Sequence, residues 1–320
     1  MKKVYESIAR FGQEWEGDVC LALGMFDGVH RGHQAVLDLV VQTADQCQGA
    51  AAAALTFPAH PAAFLRPGKE PSLLMSPSGK AEQLIQSGMS AVILQPFDQE
   101  LAGVEAVDFL PFLKARIPNL RAVCVGKNFR FGKNRSGDSE SLASYGEEDG
   151  LRVSVADSLI FEDITISSSR IREALASAKM QKVKKMLGRN YSVLGTVQQG
   201  KALGGKIGFP TLNLPWSPEA QPPLGVYAGR VQELNSGQVL PAVANYGLRP
   251  TVEVDVGEPI LEVHCLESPN SSIWKAGTNL SMSLDVFIRS EKKFSGVNEL
   301  KAQIRKDCQQ AKTYLASSMD

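Results

Sequence analysis

The sequence predicts an α/β domain built on a mostly parallel sheet, followed by an antiparallel β-barrel domain that ends in a helix. Three observations carry that reading. The first is length, since 320 residues favour two domains at roughly 150 residues each. The second is the alternation of short apolar runs with helical segments through the first half, which implies right-handed crossovers and helices on both sheet faces. The third is the change near Leu187, after which short β-prone runs alternate with Gly and Pro, as in an antiparallel barrel or sandwich.

Taken in order, residues 19–23 form an apolar run ending in Gly24. Residues 34–46 read as a helix, with Val36, Leu37, Val40, Val41 and Ala44 at three- and four-residue spacing. Residues 50–57 are the next strand, closed by Pro58. Helices follow at 80–86 and 106–116, and strands at 91–94 and 122–125. In such a sheet ligands sit beyond the carboxyl ends of the strands. A basic helical segment, 180–189 with Lys182, Lys184 and Lys185, ends the alternation, so the expected domains are 1–186 and 187–320. Barrel strands are expected at 191–197, 225–231, 240–245, 260–266 and 281–288. The final helix follows Ser295, with Val297, Leu300, Ile304, Cys308, Ala311 and Leu315 forming one apolar stripe that packs on the barrel.

Composition excludes several classes. Hydrophobic residues make up 43% and charged residues 21%, which rules out wholesale disorder. Lys plus Arg and Asp plus Glu both total 34, so a chain without basic excess is a poor candidate for nucleic acid. No apolar run approaches the roughly 18 residues of a membrane helix. The start, M-K-K-V-Y-E-S-I-A-R, reaches Glu6 before an apolar core can form, so no signal peptide is expected. Cys20, Cys47, Cys124, Cys265 and Cys308 are odd in number, far apart and without C-x-x-C. They read as reduced thiols of a cytoplasmic protein.

Residues 24–33, G-M-F-D-G-V-H-R-G-H, lie between a strand and a helix. Gly24, Gly28 and Gly32 permit a tight turn and close approach to a ligand. The helix that follows offers unpaired N–H groups to phosphate. His30 and His33, three apart, can face one anion and steady the charge that builds on a pentavalent phosphorus. The same pair could be half a metal site or ordinary surface residues. With three glycines in this context, phosphate is the preferred reading. Ser167 to Ser169 could simply cap a helix, but capping and anion binding use the same N–H groups. Arg172 in the first turn opposes the helix dipole and makes more sense beside a bound anion.

In the second half, G-K-A-L-G-G-K-I-G-F-P-T-L-N (200–213) mimics a P-loop in its spacing. Ile207 stands where the magnesium-binding Ser or Thr belongs, and Pro210 stops any following helix. The P-loop reading fails.

These segments carry a resemblance. H-R-G-H after a first strand resembles the Rossmann-like nucleotidyltransferase superfamily, and the whole 24–33 motif resembles the adenylyltransferase half of the bacterial bifunctional riboflavin kinase/FAD synthetase family. T-F-P-A-H-P (56–61), V-G-K-N-F-R-F-G-K-N-R-S-G (125–137) and I-S-S-S-R-I-R (166–172) are similar to further segments of that half, with Ala59 where the family usually has Pro. G-F-P-T-L-N resembles the riboflavin kinase signature. P-L-G-V-Y-A (223–228), N-Y-G-L-R-P-T (245–251), L-E-V-H (261–264), F-I-R-S-E-K-K-F (287–294) and L-K-A-Q-I-R-K-D (300–307) follow in the family's order. Two departures stand out, Gly205 in place of a common Arg and S-I-W-K-A (272–276) in place of a Tyr-Gly pair.

The resemblance implies FAD biosynthesis in two steps, riboflavin to FMN in the second domain and FMN to FAD plus pyrophosphate in the first, each with ATP. It assigns His30, His33, Ser168, Ser169 and Arg172 to the triphosphate and Asn128 to the reacting phosphates. Gly24, Phe26, Asp27 and Gly32 would shape that ATP site. In the kinase half Gly200, Lys206, Gly208 and Pro210 would form the ATP loop, Thr211 and Asn213 would hold Mg²⁺, and Glu262 would be the general base. Lys206 could replace the missing Arg. The expected partners are therefore small molecules, with neither nucleic acid nor membrane, and the sequence does not set the oligomeric state. Two alternatives stay open, an adenylyltransferase that has lost its kinase half and a flavin-binding regulator.

Overall fold

The computed structural model describes residues 3–200, 203–216, 220–249, 258–268 and 274–317. The first sheet contains β1 (Lys3–Tyr5), β2 (Val19–Leu23), β3 (Ala51–Thr56), β4 (Ala91–Leu94), β5 (Leu120–Gly126) and β6 (Arg152–Ala156). All pairs are parallel, and the spatial order is β1-β4-β3-β2-β5-β6. The expected strands at 19–23 and 91–94 have the observed bounds. Strand β1, strand β6 and the helix Ile8–Glu14 were not anticipated, because β1 is three residues long and the edge strand β6, R-V-S-V-A, mixes polar with apolar residues.

Residue alternation along these strands sorts two faces. Leu21, Leu23, Leu55, Ile93, Val123 and Val125 pack with Phe11, Leu110 and Leu142 on one side. Cys20, Ala22, Ala52, Ala54 and Cys124 lie on the other, against Val36, Leu37, Val40 and Ala44 of the helix Arg31–Gln46. The alanine run of β3 thus supplies small side chains where that helix packs. Strand order reverses at β2, with β3 on one flank and β5 on the other. The carboxyl ends of β2 and β5 therefore border the crevice where ligands of such sheets bind.

The second sheet contains β7 (Tyr191–Thr196), β8 (Leu212–Pro215), β9 (Gly225–Glu233), β10 (Val239–Arg249), β11 (Glu258–Cys265), β12 (Asn279–Leu284) and β13 (Val286–Ser290). Its pairs are antiparallel in the order β7-β12-β9-β10-β11-β8, with β13 added beside β9. The expected strand at 281–288 is two strands, divided at Asp285, whose N–H donates to the Ala228 carbonyl at 2.9 Å. The two ends of the path meet where the Gln198 N–H donates to the Asn213 carbonyl at 2.8 Å, curling the sheet into a barrel-like form.

Tyr227, Tyr246, Leu261 and Val263 fill the inside of this sheet. Val226, Ala228 and Val243 face outward beneath Cys308 and Ala311 of the helix Val297–Ser317. Buried Asp307 anchors that helix through Arg289, with Nη2 to Oδ2 at 2.8 Å. Val297, at the helix start, is exposed and does not join the expected stripe. The chain divides into two compact units, Met1–Arg170 and Ile171–Asp320. The helix Met180–Leu187 belongs to the second, where Gln181 Nε2 donates to the Asp285 carbonyl at 3.0 Å. All five cysteines are free.

Candidate functional site

The loop after β2 holds an unusual backbone. Phe26 at φ 48°, Gly28 at φ 81° and Val29 at φ 38° are all left-handed. Val29 is β-branched, so its conformation is strained, and such strain tends to persist at functional sites. Phe26, Asp27 and Val29 are almost wholly buried. A methyl on Gly24 would lie 3.1 Å from the Phe26 ring, and one on Gly32 would lie 3.2 Å from the His30 ring. These glycines let two rings fold back over the turn.

His30 is the N-cap of the helix Arg31–Gln46, and its Nδ1 accepts the His33 N–H at 3.2 Å. An accepting Nδ1 places the proton of neutral His30 on Nε2. The two imidazoles stack at 3.5 Å, and Phe26 meets His33 edge-on at 5.3 Å. Burial first, then electrostatics with the His30 imidazole and the Lys80 ammonium, push His33 well below the usual imidazole range. His33 is therefore neutral near pH 7, and its buried Nδ1 has no hydrogen-bond partner among the described residues. No acidic residue occupies the first turn of this helix, as suits an anion at its end.

Ser168 opens the helix Ser168–Ala176, and its Oγ donates to the Asp27 carbonyl at 2.9 Å. Two helix starts, at His30 and Ser168, are thus joined through Asp27. Asp27 Oδ1 also accepts the Leu74 N–H at 2.8 Å. Ser169 is next in line, and Arg172 stands one helical turn beyond Ser168. Asn128 is exposed at the carboxyl end of β5, with Nδ2 donating to Ser158 Oγ at 3.3 Å. His60, in the 56–61 motif, caps the helix Pro61–Leu65 by accepting the Ala62 N–H at 3.1 Å.

Two residues missed by sequence reasoning complete this half. Lys80 is 1% exposed. Its Nζ donates to the Met25 carbonyl at 3.1 Å and to that of Phe57. Arg170 ties the 160–165 hairpin by donating from Nη1 to the carbonyls of Phe161, at 3.0 Å, and Thr165, at 3.1 Å. Lys80 gave no motif signal, although a lysine within an apolar helical pattern is itself a signal.

In the second unit, Glu262 lies opposite Asn213 on β8 and opposite Asn245 on β10. Directly paired residues share a face, so the three polar side chains form one row on the outside of the sheet. Asn245 is the member that sequence reasoning left unassigned, though N-Y-G-L-R-P-T contains it. Thr211 immediately precedes β8, two residues before Asn213. The loop before β8 folds over this row. A methyl on Gly200 would lie 2.1 Å from Asn213 Nδ2, and one on Gly204 would lie 3.4 Å from Thr211 Oγ1. His264 Nδ1 bonds the Pro210 carbonyl at 2.8 Å and Gly208 turns at φ 90°. Gly205 faces open space. Lys206 ends the helix Leu203–Lys206, and its side chain lies outside the described residues, as do Ser272 and Ile273 of the 272–276 segment.

The two halves define a transferase class with two separate sites suited to phosphate chemistry, one at a parallel-sheet switch point and one on a curled antiparallel sheet. A family model for FAD synthetase matches residues 13–170, and one for riboflavin kinase matches residues 187–315. The bifunctional riboflavin kinase/FMN adenylyltransferase of Escherichia coli (strain K12) is 33% identical over 305 residues, 95% of each chain. Its namesake from Bacillus subtilis (strain 168) is 33% identical over 309 residues, again 95% of each. That from Haemophilus influenzae is 34% identical over 297 residues, 93% of this chain and 94% of the other. A crystal structure described as a macrolide-efflux protein from Streptococcus pneumoniae superposes with a TM-score of 0.83 at 24% identity, covering 98% and 99% of the two chains. That likeness shows the fold alone. The chain belongs to the bifunctional riboflavin kinase/FMN adenylyltransferase family.

Proposed function

We infer that this chain is a transferase carrying both activities of its family, phosphorylation of riboflavin by ATP to FMN and adenylylation of FMN by a second ATP to FAD. The observation that carries the reading is that each half holds its own phosphate-suited site: joined helix starts in the first, and the Asn213–Glu262–Asn245 row in the second. In the second unit Glu262 takes the proton of the riboflavin 5′-hydroxyl as its oxygen attacks the γ-phosphorus of ATP. Thr211 and Asn213 offer a hydroxyl and an amide oxygen. These suit a hard cation such as Mg²⁺, and Gly200 leaves the space in front of Asn213 that a side chain would fill. Mg²⁺ there would offset charge on the transferring group.

In the first unit an FMN phosphate oxygen attacks the α-phosphorus of ATP, and pyrophosphate leaves. The attacking group is already an anion, so no protein nucleophile is needed. Positioning and charge stabilisation suffice. His30 and neutral His33 act as hydrogen-bond donors, with Ser168, Ser169 and, further along the same helix past the end of that unit, Arg172 holding the triphosphate. Asn128 lies against the reacting phosphates.

Purified protein with riboflavin, ATP and Mg²⁺ should yield FAD. Product only when FMN is supplied would leave an adenylyltransferase alone, and no product would leave a flavin-binding regulator. Among the described residues no helix is long and apolar enough to cross a membrane, which supports the proposal of a cytoplasmic enzyme.

Gly205→Arg tests the departure from the family pattern. A Cβ at this position meets no atom within 4 Å among the described residues, so the start of the longer side chain has room. A phosphate-side cation worth about 1 kcal/mol should lower the ATP KM of the kinase roughly fivefold. An unchanged KM would show that the cation was not limiting.

We also propose that the functional boundary lies at 186/187, where the riboflavin kinase match begins. A protein starting at Leu187 should fold and phosphorylate riboflavin without making FAD. A second one starting at Ile171 keeps the helix Met180–Leu187 and its Gln181–Asp285 bond, and should melt at higher temperature. If only the longer one folds, the boundary belongs before that helix.

A further inference from the structure

Lys80 is a buried cation between two loops of the first unit. Met25 belongs to the loop after β2 and Phe57 to the loop after β3, and the Lys80 ammonium donates to both carbonyls. Thr56, buried at the end of β3, donates its hydroxyl to the same Met25 carbonyl at 2.8 Å. The Met25 peptide is thus fixed from two sides, immediately before the left-handed Phe26 that carries the ring beneath His33. Burying an ammonium is costly unless its hydrogen-bonding capacity is met, so apolar packing alone does not explain a lysine here. A methionine would fill the same volume.

We propose that Lys80 is a positioning residue for adenylyl transfer, clamping the 24–33 loop to the 56–61 loop so that His30 and His33 meet the α-phosphorus in one arrangement. The inference rests on the reading of this unit as an FMN adenylyltransferase. A strained turn needs surrounding structure that over-determines it, and Lys80 adds two bonds to the Thr56–Met25 tie between the loops. Burial first, then His30 and last Lys80 hold the His33 imidazole neutral, so the lysine adds to an effect that burial dominates. The other charged or titratable groups at this sheet edge are Asp27, His30 and Arg31 on the loop and helix of His33, His60 after β3, and Arg170 near the Ser168 helix start. Of these, His30 adds to the effect of Lys80 on His33.

The test uses the full chain. FAD formation from supplied FMN is followed across pH, with a thermal melt of the same protein as control for folding of the first unit. Parent protein that makes no FAD defeats the adenylyltransferase reading itself, before Lys80 is in question. Given active parent, Lys80→Met should lower kcat for FAD formation about 10²-fold, with the FMN KM changed less than about threefold. The acid limb of the profile should move to higher pH, because His33 protonates more readily once the neighbouring cation is gone. Lys80→Arg restores the cation and should recover most of the rate and the parental acid limb. A Lys80→Met protein with near-parental kcat and an unmoved acid limb overturns the proposal. If Lys80→Met does not fold, Lys80→Arg decides. A folded arginine variant with a parental acid limb and measurable FAD formation supports the clamp, and one with a shifted limb or no FAD formation overturns it.

Discussion

Glu262→Gln should reduce riboflavin phosphorylation by about 10²–10⁴ in rate, the usual cost of removing a general base, while FAD made from supplied FMN continues at the parental rate. The substitution keeps size and shape. Glu262 is half-buried on β11 between Asn213 and Asn245, and an amide can still hydrogen-bond to its neighbours there. What the amide cannot do is accept the proton of the riboflavin hydroxyl. The inner face of the strand, Leu261 and Val263, is fully buried and untouched, so the sheet should remain folded. Both rates, measured together with a thermal melt of the same preparation, separate chemistry from folding. Normal phosphorylation by Glu262→Gln would reassign the base. Glu267, exposed beyond the end of β11, and Glu258, at its start, would follow, with Glu253 outside the described residues.

How much of this was legible in the sequence depended on periodicity and on glycine. Strand β2 and the helix Arg31–Gln46 were visible because an apolar run ends in Gly24 and a three- and four-residue stripe follows. Strand β6 was not, since an edge strand has only one demanding neighbour and tolerates arginine and serine. The same limit hid β8, whose four residues L-N-L-P carry Asn213 and form one end of the curled sheet. Both halves of the 281–288 run pair with β9 and only the first also pairs with β7, so the break at Asp285 is not a local property. Site residues in continuous motifs, such as His30, His33 and Ser168, were found as a group, and the Ser168–Asp27 bond joins segments 141 residues apart. Asn245 and Lys80 belong to their sites only through pairing and burial. Neither local spacing nor propensity encodes a cross-strand neighbour, or the two carbonyls that a buried ammonium finds.

His33→Ala should lower FAD formation by roughly 10²–10³, the typical loss when one charge-stabilising donor is removed, with riboflavin phosphorylation almost intact. His30→Ala should lose at least as much, but it tests less cleanly. His30 is the N-cap of its helix through Nδ1, and losing a cap costs about 0.5–2 kcal/mol of stability in its own right. His33 carries no such duty. Its ring is held by stacking on His30 at 3.5 Å and by the edge contact with Phe26. Its depressed basicity also sets a pH dependence, because protonation would place a charge in a buried site near the Lys80 ammonium and disturb the stacked pair. The parental rate should therefore hold well below the usual imidazole pKa of about 6.5 before the acid limb begins. Steady-state rates of both reactions in the parent, His33→Ala and His30→Ala proteins decide the matter. A lowered melting transition in His33→Ala that accompanies the loss of FAD formation would mean that the imidazole supports the fold, because the kinase half is expected to fold without this turn.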